Sequence, residues 1–349
     1  MLKNFRYLLL PFSFLYGAII KVRNWLYDIK VLKSSSFNFP IICVGNLATG
    51  GTGKTPMTEY LIRLLKNDFK TATLSRGYKR KTKGFAIANE NTSALEIGDE
   101  PMQFHKKFPD VIVSVGEERL FAIPQLLHHQ PAPQVIILDD AFQHRQVRAG
   151  LNILLTDHAN LYTRDQMLPS GDLRDVRSSS KRADIIIVTK CPADLAEQEK
   201  NKIIKELDPA ADQTIYFTTI VYSDPYHLFS KEEMKITHDH GVLLVYGIAN
   251  PTPLTDHVTS RVHDCDMLSY ADHHIFNSDD LREIKQRFEK INGVNKIILT
   301  TEKDGVRLSK FESELKDLPI YVLPIRHSFL FGAGHEFDTR VKNFIRSYN

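Results

Sequence analysis

Short apolar runs rich in β-branched residues recur along the chain and alternate with segments of helical periodicity. Most runs are continuously apolar, which is typical of strands buried on both faces of a sheet. Their alternation with helical segments predicts a mostly parallel sheet with helices on both sides. The predicted strands are 40–45, 71–75, 111–115, 135–139, 151–156 and 184–189, and the predicted helices are 55–67, 117–128 and 194–208.

A second, shorter series follows the first and predicts a second α/β lobe. Its predicted elements are a strand at 242–246, a helix at 278–291 and a strand at 296–300. The partly alternating segments 214–223 and 320–325 are candidates for a ribbon that links the two lobes. The segment 338–348 has the pattern of a helix and is a candidate to return to the first lobe.

The beginning of the chain has a different pattern. The uncharged stretch Leu8–Ile20 has 13 residues, fewer than the roughly 17–25 that a spanning helix needs. Lys21 follows it in place of a small-residue cleavage site, so a secretory signal is a poor match. From Phe12 onward, one helical face is polar, with Ser13, Gly17, Lys21, Asn24 and Asp28, and another is apolar, with Leu15, Ile19, Val22, Leu26 and Ile29. These residues alone leave two alternatives open, namely a helix lying on anionic lipid and a helix packed on the protein core.

Charge separates this beginning from the rest of the chain. The 349 residues carry a formal charge of +3, whereas residues 1–33 contain six basic side chains and one acid, a charge of +5. A total of +3 does not favour nucleic-acid binding. The 42% apolar and 25% charged residues are ordinary for a globular protein, and three widely spaced cysteines favour a reducing compartment over a disulfide framework.

The strongest local motif is a glycine-rich loop between a predicted strand and a predicted helix. This context is typical of a phosphate-binding P-loop, in which backbone N–H groups and the helix N-terminus hold phosphate oxygens. Lys54 would reach the β- and γ-phosphates, and Thr55 would bind Mg²⁺. Ala48 stands where the strict pattern has glycine. The candidate nucleotide-binding residues are Thr49, Gly50, Gly51, Thr52, Gly53, Lys54 and Thr55.

Two acids, Asp139 and Asp140, end the apolar strand at 135–139. An acid in this position of a P-loop protein holds Mg²⁺ directly or through water, so both are candidate ligands. The alternative is that they only cap the end of the strand.

Three other clusters each allow more than one interpretation. Asp99 in the segment 98–101 is a candidate general base or a helix N-cap. His273 and its neighbours at 272–274 are candidates for proton transfer, for a metal site with His263 and Cys265, or for a structural role. The basic segment 75–81 is a solvated loop or a contact for an anionic ligand.

Several motifs occur in one order over nearly the whole chain: VGNLATGGTGKTP (44–56), LSRGY (74–78), GDEP (98–101), LDDAFQHR (138–145), LPSGDLRD (168–175), RADIIIVTKCP (182–192), GIANP (247–251), ADHHIF (271–276) and TEKD (301–304). Together they resemble the tetraacyldisaccharide 4′-kinase family of lipid A synthesis. The resemblance implies transfer of the γ-phosphate of ATP, with Mg²⁺, to the 4′-hydroxyl of a tetraacyl-disaccharide 1-phosphate.

The resemblance also implies an architecture and a location. We expect an α/β protein of two α/β/α lobes joined by a β-ribbon and held at the cytoplasmic face of the bacterial inner membrane by an amphipathic N-terminal helix. We predict a lipid substrate and an anionic membrane surface as partners, with neither nucleic acid nor a protein partner. The predicted divisions are a membrane-associated segment at 1–33, a P-loop kinase lobe at 34–213, a linker ribbon at 214–225 and 318–328, a smaller lobe at 226–317 and a C-terminal segment at 329–349.

Individual roles follow from the matching motif positions. The resemblance implies that Asp99 is the catalytic base, that His273 is its partner and that Arg119 assists the transferred phosphoryl group. Arg76 and Arg174 lie in motifs that we expect near phosphate groups. Because Asp99 and His273 belong to different predicted lobes, we expect lobe closure to assemble the site. The chain departs from the family pattern at Ala141, where glycine is common, and at Asp175, where glutamate is common.

Two other functions compete with this interpretation. A nucleotide switch or metallochaperone of the partition-ATPase branch would explain the loop at 50–55 but not the ordered motifs. A membrane-surface scaffold with a relic P-loop would lack nucleotide binding altogether.

Overall fold

The computed structural model describes residues 6–272, 274–293 and 295–348. The chain divides into two compact units, one formed by Met1–Val221 with Arg326–Asn349 and the other by Tyr222–Ile325. Both are built on mostly parallel sheets, so the α/β class predicted from the alternating pattern is confirmed.

The sheet of the first unit has the strand order β16-β10-β9-β8-β2-β6-β3-β5-β4. The pairs from β10 to β5 are parallel and the β5–β4 pair is antiparallel. A separate parallel pair joins β1 (Ser35–Ser36) to β7 (Val147–Arg148). The strands of the large sheet are β2 (Ile41–Asn46), β3 (Thr71–Ser75), β4 (Ala86–Ile87), β5 (Ile112–Val115), β6 (Val135–Asp139), β8 (Leu151–Asp157), β9 (Ile185–Thr189), β10 (Thr214–Tyr222) and β16 (Ile325–Phe329).

Strand β2 lies where the order of the sheet reverses. Its neighbours are β6 on one side and β8 on the other, and the chain places β3 beyond β6. Ligands of open α/β sheets bind outside the carboxyl ends of the strands at such a reversal. The loop that follows β2 is therefore at the expected place for a ligand.

Helices complete the first unit. Its α-helices are Leu10–Asp28, Lys54–Leu65, Ala94–Ile97, Asp99–Lys107, Arg119–Leu127, Glu197–Leu207 and Gly334–Arg346, and its 3₁₀ turns are Tyr7–Leu9 and Arg177–Arg182. The last helix packs within this unit, where the Tyr60 hydroxyl donates to Asp338 Oδ1 at 2.8 Å.

The second unit has its own sheet, in the order β11-β15-β14-β12-β13. Successive residues of β12 pack into different apolar clusters, Leu243 and Val245 in one and Val242 and Leu244 in the other, as side-chain alternation along a strand requires. Its strands are β11 (Tyr226–His227), β12 (His240–Tyr246), β13 (Asp264–Ser269), β14 (Asn295–Thr301) and β15 (Ile320–Leu323), and its helices are Thr252–Thr259, Ser278–Glu289, Glu302–Leu308 and Glu312–Leu315, with a 3₁₀ turn at Ser309–Phe311.

The two segments considered as a linking ribbon contain strands of the units' own sheets. Strands β10 and β16 are neighbours in the large sheet, whereas β15 lies in the second sheet. Strand β13, with the sequence DCDMLS, was absent from the predicted strands. Its alternating acids interrupt the apolar run by which the other strands were predicted. It lies at an edge of its sheet.

The N-terminal helix, Leu10–Asp28, buries Ser13, Gly17 and Asn24 of its polar side, whereas Lys21 and Asp28 are exposed. Ser13 Oγ donates to Ser170 Oγ at 2.7 Å, and Asn24 Nδ2 donates to Asp175 Oδ1 at 2.9 Å. Leu15 and Ile19 on the apolar side are 60% and 57% exposed. The apolar stripe therefore does not pack on the protein core. Pro11 is accommodated in the first turn, where a missing N–H leaves no hydrogen bond unmade.

Among the described residues, no helix combines the length and the hydropathy needed to cross a bilayer.

Candidate active site

The P-loop connects β2 to the helix Lys54–Leu65, which we call the P-loop helix. Gly53 precedes the helix with φ of 85°, a left-handed conformation that favours glycine. The helix N-terminus and the loop lie at the carboxyl end of β2, as predicted. Pro56, in the first turn, costs no helical hydrogen bond.

Lys54 lies in a polar cluster at the start of this helix. Its Nζ is 3.2 Å from Asn46 Oδ1 and 3.7 Å from Asp140 Oδ1. The pKa of Lys54 lies below its usual value because burial outweighs the attraction of Asp140. Asn46 Nδ2 also donates to Thr52 Oγ1 at 2.8 Å, so this asparagine connects the end of β2 to the loop and to the lysine.

The adjacent acids Asp139 and Asp140 have different surroundings. Asp139 is buried and accepts from Thr58 Oγ1 at 3.1 Å and Ser75 Oγ at 3.3 Å. Burial raises the pKa of Asp139 to about 6, and the negative charges of Asp140 and Glu100 act in the same direction. For Asp140, burial also acts to raise the pKa, but Lys54 and Arg174 outweigh it and the pKa lies below its usual value.

Arg174 joins these groups from a second segment of the chain. Its guanidinium donates to both carboxylate oxygens of Asp140 and, at 2.6 Å, to Asn46 Oδ1. The backbone around it contacts the loop directly, because the Thr49 N–H donates to the Asp172 carbonyl at 2.7 Å. The conformation before Gly50 is thus supported by the segment 168–175.

Arg119 is the first residue of its helix and is 2% exposed. Its Nη1 donates to the carbonyls of Gly116 at 2.6 Å and Glu117 at 3.2 Å. Burial lowers its pKa to about 10, against the attraction of Asp139, so the guanidinium remains charged at neutral pH. Among the described residues its buried Nε has no hydrogen-bond partner.

Asp99 begins the helix Asp99–Lys107, so it is a helical residue and Gly98 occupies the N-cap. Gly98 has φ of 94°, and a Cβ there would lie 3.1 Å from the Tyr78 carbonyl oxygen. The motifs at 74–78 and 98–101 therefore pack together through a position that requires glycine. Glu100 is near enough to affect the pKa of both Lys54 and Asp139, which brings this helix N-terminus to the site.

The helix that carries Asp99 is attached to the P-loop helix through Glu59. This carboxylate is fully buried and accepts from Gln103 Nε2 at 2.8 Å, Lys107 Nζ at 2.5 Å and Arg63 Nη1 at 3.2 Å. Glu59 is four residues after Thr55 on the same helix. The network therefore relates the position of Asp99 to that of the P-loop.

The remaining predicted residues lie apart from this network or outside the described residues. Arg76 is exposed after β3, near enough to lower the pKa of Arg119. Thr55 is half-buried in the first turn of the P-loop helix. His273 lies outside the described residues.

The motifs of the second unit make contacts within that unit. Asp304 accepts from the Gly247 N–H at 2.9 Å, which links the segments 301–304 and 247–251. His274 Nε2 lies 2.8 Å from Asp280 Oδ2. The carboxylate of Asp304 is thus committed to holding the local backbone.

Sequence reasoning did not assign roles to Asn46, Glu59 or His327. Asn46 lies inside the P-loop motif segment, so its position could have drawn attention to it. Glu59 resembles an ordinary helix-surface glutamate in the sequence. His327 Nε2 lies 2.9 Å from the Gly53 carbonyl oxygen although the two residues are 274 positions apart, and no local pattern identifies such a contact.

Comparison with known proteins gives consistent matches over the whole chain. The family model for tetraacyldisaccharide-1-P 4′-kinase matches residues 5–346. Tetraacyldisaccharide 4′-kinase of Flavobacterium johnsoniae is 47% identical over 347 residues, covering 98% of this chain and 97% of that protein. The Bacteroides thetaiotaomicron enzyme of the same name is 43% identical, covering 97% of this chain and 93% of that protein.

A solved structure is also similar. The crystal structure of the "apo" form of LpxK from Aquifex aeolicus in complex with ATP has a TM-score of 0.76 and 29% identity. The match covers 98% of this chain and 99% of that one.

Proposed function

The chain belongs to the tetraacyldisaccharide-1-P 4′-kinase family, which phosphorylates a lipid A precursor at the 4′ position, and from this premise we propose how the residues around the P-loop carry out the transfer. The protein is an ATP-dependent kinase, which replaces the alternatives of a nucleotide switch and a relic scaffold. The observation that carries the proposal is the convergence of two cations, Lys54 and Arg174, on Asn46 at the end of β2 and on the carboxylate of Asp140.

The segment Thr49–Thr55 binds the phosphates of ATP. Backbone N–H groups of the loop and the N-terminus of the P-loop helix supply donors and a favourable dipole. Lys54 supplies a positive charge whose ammonium group is already desolvated, as its lowered pKa indicates. Such a charge acts more strongly on phosphate oxygens than one in water.

The oxygen donors at this site fit Mg²⁺. Thr55, Asp139 and Asp140 offer a hydroxyl and two carboxylates, the ligand type this ion prefers. Burial and the neighbouring charges of Asp140 and Glu100 raise the pKa of Asp139, and a cation bound beside it would favour its ionised form. Mg²⁺, when bound, would neutralise charge on the phosphate oxygens. Thr58 and Ser75 orient the Asp139 carboxylate for this role.

Arg119 stabilises the charge of the transferred phosphoryl group. Its guanidinium is buried and charged, and it is fixed by the carbonyls of Gly116 and Glu117. A fixed donor needs little reorganisation when charge develops in the transition state. Arg76 and Arg174 are assigned to nearby phosphate groups, Arg174 through its contacts with Asp140.

Asp99 accepts the proton of the acceptor hydroxyl. As the 4′ oxygen forms its bond to the γ-phosphorus, the bond to the β-γ bridging oxygen breaks, ADP leaves and the proton passes to the Asp99 carboxylate. The Glu59 network supports this assignment because it holds the Asp99 helix on the P-loop helix. The partnership of Asp99 with His273, and the closure that it requires, stay predictions.

The lipid substrate is delivered at a membrane surface. The exposed apolar side of the N-terminal helix would enter the lipid interface, with the exposed Lys21 toward anionic headgroups. The Tyr16 hydroxyl donates to the Arg174 carbonyl at 3.1 Å, so the segment that supports the P-loop also supports this helix. We assign the protein to the cytoplasmic face of the inner membrane, as a peripheral protein.

The decisive experiment separates the base from nucleotide binding. With ATP, Mg²⁺ and a lipid A disaccharide precursor in detergent, Asp99→Ala should lower turnover by about 10²–10⁴-fold, because proton removal contributes that much. The affinity for ATP, measured by calorimetry, should remain within about 2-fold.

Asp110→Ala is the matched control because Asp110 is exposed and its pair with Lys66 is a surface pair. Its turnover should match that of the unmodified protein. If Asp99→Ala retains near-normal turnover, the assignment of the base is wrong, although the family membership is unaffected.

A further inference from the structure

We propose that His327 is a positioning residue of the P-loop, which orients the peptide group between Gly53 and Lys54 toward the phosphates. This inference rests on the proposed binding of phosphates by Thr49–Thr55. His327 lies on β16, the strand by which the chain re-enters the first unit, and is 4% exposed.

The hydrogen bonds of the His327 ring define which of its two nitrogens carries the proton. The Gly53 carbonyl can only accept, so Nε2 of His327 carries a proton and donates to it at 2.9 Å. Nδ1 lies 2.9 Å from Thr218 Oγ1, a hydroxyl that can donate to it. Burial lowers the pKa of His327 to about 4, so the ring is neutral at physiological pH and this pair of bonds uses both nitrogens.

The effect on the loop follows from peptide geometry. The carbonyl of one residue and the N–H of the next point in opposite directions across a planar peptide group. The Gly53 carbonyl also accepts from the Met57 N–H at 3.1 Å, along the helix. Two donors on this oxygen direct the Lys54 N–H away from the helix, toward the open end of the P-loop, and polarise that donor.

The packing is specific to this pair. A Cβ on Gly53 would lie 3.0 Å from both Cε1 and Nε2 of the His327 ring. Gly53 is thus required by its left-handed φ and also by the imidazole lying against it. Thr189 Oγ1 donates to the Thr52 carbonyl at 2.9 Å, so adjacent loop peptides are held by strands β9 and β16.

The test measures the part of nucleotide affinity that depends on the β- and γ-phosphates. Calorimetry would give the dissociation constants of ATP and AMP for the full chain. The readout is the AMP-to-ATP ratio, the dissociation constant of AMP divided by that of ATP. His327→Leu, which fills the space without donating, should lower the AMP-to-ATP ratio by about 3- to 10-fold, the effect of one lost hydrogen bond. His327→Gln, which retains an N–H donor at a similar distance, should keep the AMP-to-ATP ratio near that of the unmodified protein.

Controls separate positioning from general damage. His257→Leu removes another imidazole, which is half-buried and packs against Tyr222 in the second unit, and should leave the ratio unchanged. A merely structural role would lower the active fraction or the melting temperature without changing the ratio. If His327→Leu does not fold, Thr218→Val decides, because it keeps the ring and removes the partner of Nδ1, with an expected 2- to 3-fold loss.

Two outcomes contradict the inference in distinguishable ways. An unchanged ratio in folded His327→Leu or in Thr218→Val overturns the role of His327 alone. If the unmodified protein binds ATP no more tightly than AMP, the assignment of the P-loop fails and the inference fails with it.

Discussion

The N-terminal helix and the P-loop helix, both in the first unit, differ in where their large apolar side chains lie. In the N-terminal helix the buried positions are Ser13, Gly17 and Asn24, and large apolar residues are exposed. In the P-loop helix Met57 and Leu61 are among the fully buried residues. The large apolar side chains of the P-loop helix therefore lie in the core, whereas those of the N-terminal helix lie outside it.

The difference indicates what each helix lacks. The P-loop helix has its apolar groups covered and leaves its N-terminal donors for a ligand. The N-terminal helix has Ser13 and Asn24 covered and leaves an exposed apolar surface that water does not favour. We propose that a polyphosphate binds the N-terminus of the P-loop helix and that a lipid surface covers the apolar side of the N-terminal helix.

The largest expected effect concerns the buried charge of the P-loop helix. Glu59→Ala should lower the free energy of unfolding by about 3–5 kcal/mol, because Gln103, Lys107 and Arg63 lose a buried partner. Chemical denaturation measures this change. Glu197→Ala is the control, since its pair with Lys200 is exposed, and should cost less than about 1 kcal/mol. Similar losses in both variants would mean that the buried network contributes no more than a surface pair.

The next effect concerns the apolar side of the N-terminal helix. Phe14 is 81% exposed, so Phe14→Ser should hardly change the stability of the protein in water. It should weaken binding to vesicles of anionic phospholipid by about 1.5–3 kcal/mol, the value of one large apolar side chain. Vesicle sedimentation measures this loss.

The control for that experiment is Phe121→Ser, at a residue 69% exposed in another helix of the same unit. Vesicle binding should be retained in this variant. Equal vesicle binding by the unmodified protein and Phe14→Ser would contradict the proposal that this side of the helix contacts lipid.

The smallest effect concerns the polar side of the same helix. Asn24 Nδ2 donates to Asp175 Oδ1 at 2.9 Å and to Ser179 Oγ at 3.1 Å. Asn24→Ala should therefore lower the free energy of unfolding by about 1–3 kcal/mol, because the buried Asp175 loses a donor. Thermal unfolding measures the shift, and a stabilised variant would contradict an inward-facing polar side.

Much of the fold was predictable because it depends on residues close together in the chain. The predicted strands 71–75 and 135–139 coincide with β3 and β6, since continuously apolar β-branched runs indicate strands buried on both faces. Strand β13 was missed because its acids interrupt such a run. The P-loop was recognised because its glycines, lysine and threonine are consecutive and lie between a strand and a helix.

The surroundings of the candidate site were less predictable. The ordered motifs pointed to Asp139, Asp140 and Arg174 as candidates, but not to the opposite pKa shifts of the two acids. Burial raises the pKa of Asp139, whereas Lys54 and Arg174, which come from distant segments, lower that of Asp140. Glu59 has the sequence context of a surface residue and became a buried junction only through contacts with Gln103 and Lys107.

The amino-acid sequence was sufficient for the α/β class, the position of the P-loop and the family, since periodicity and consecutive motifs are local properties. The tertiary structure decided which face of the N-terminal helix is buried. Either face could pack on the protein, and only the contacts formed in the folded chain select one of them. The tertiary structure also brings the His327 ring to the Gly53 carbonyl oxygen. A contact across 274 positions depends on the assembly of the whole sheet, and no local pattern encodes it.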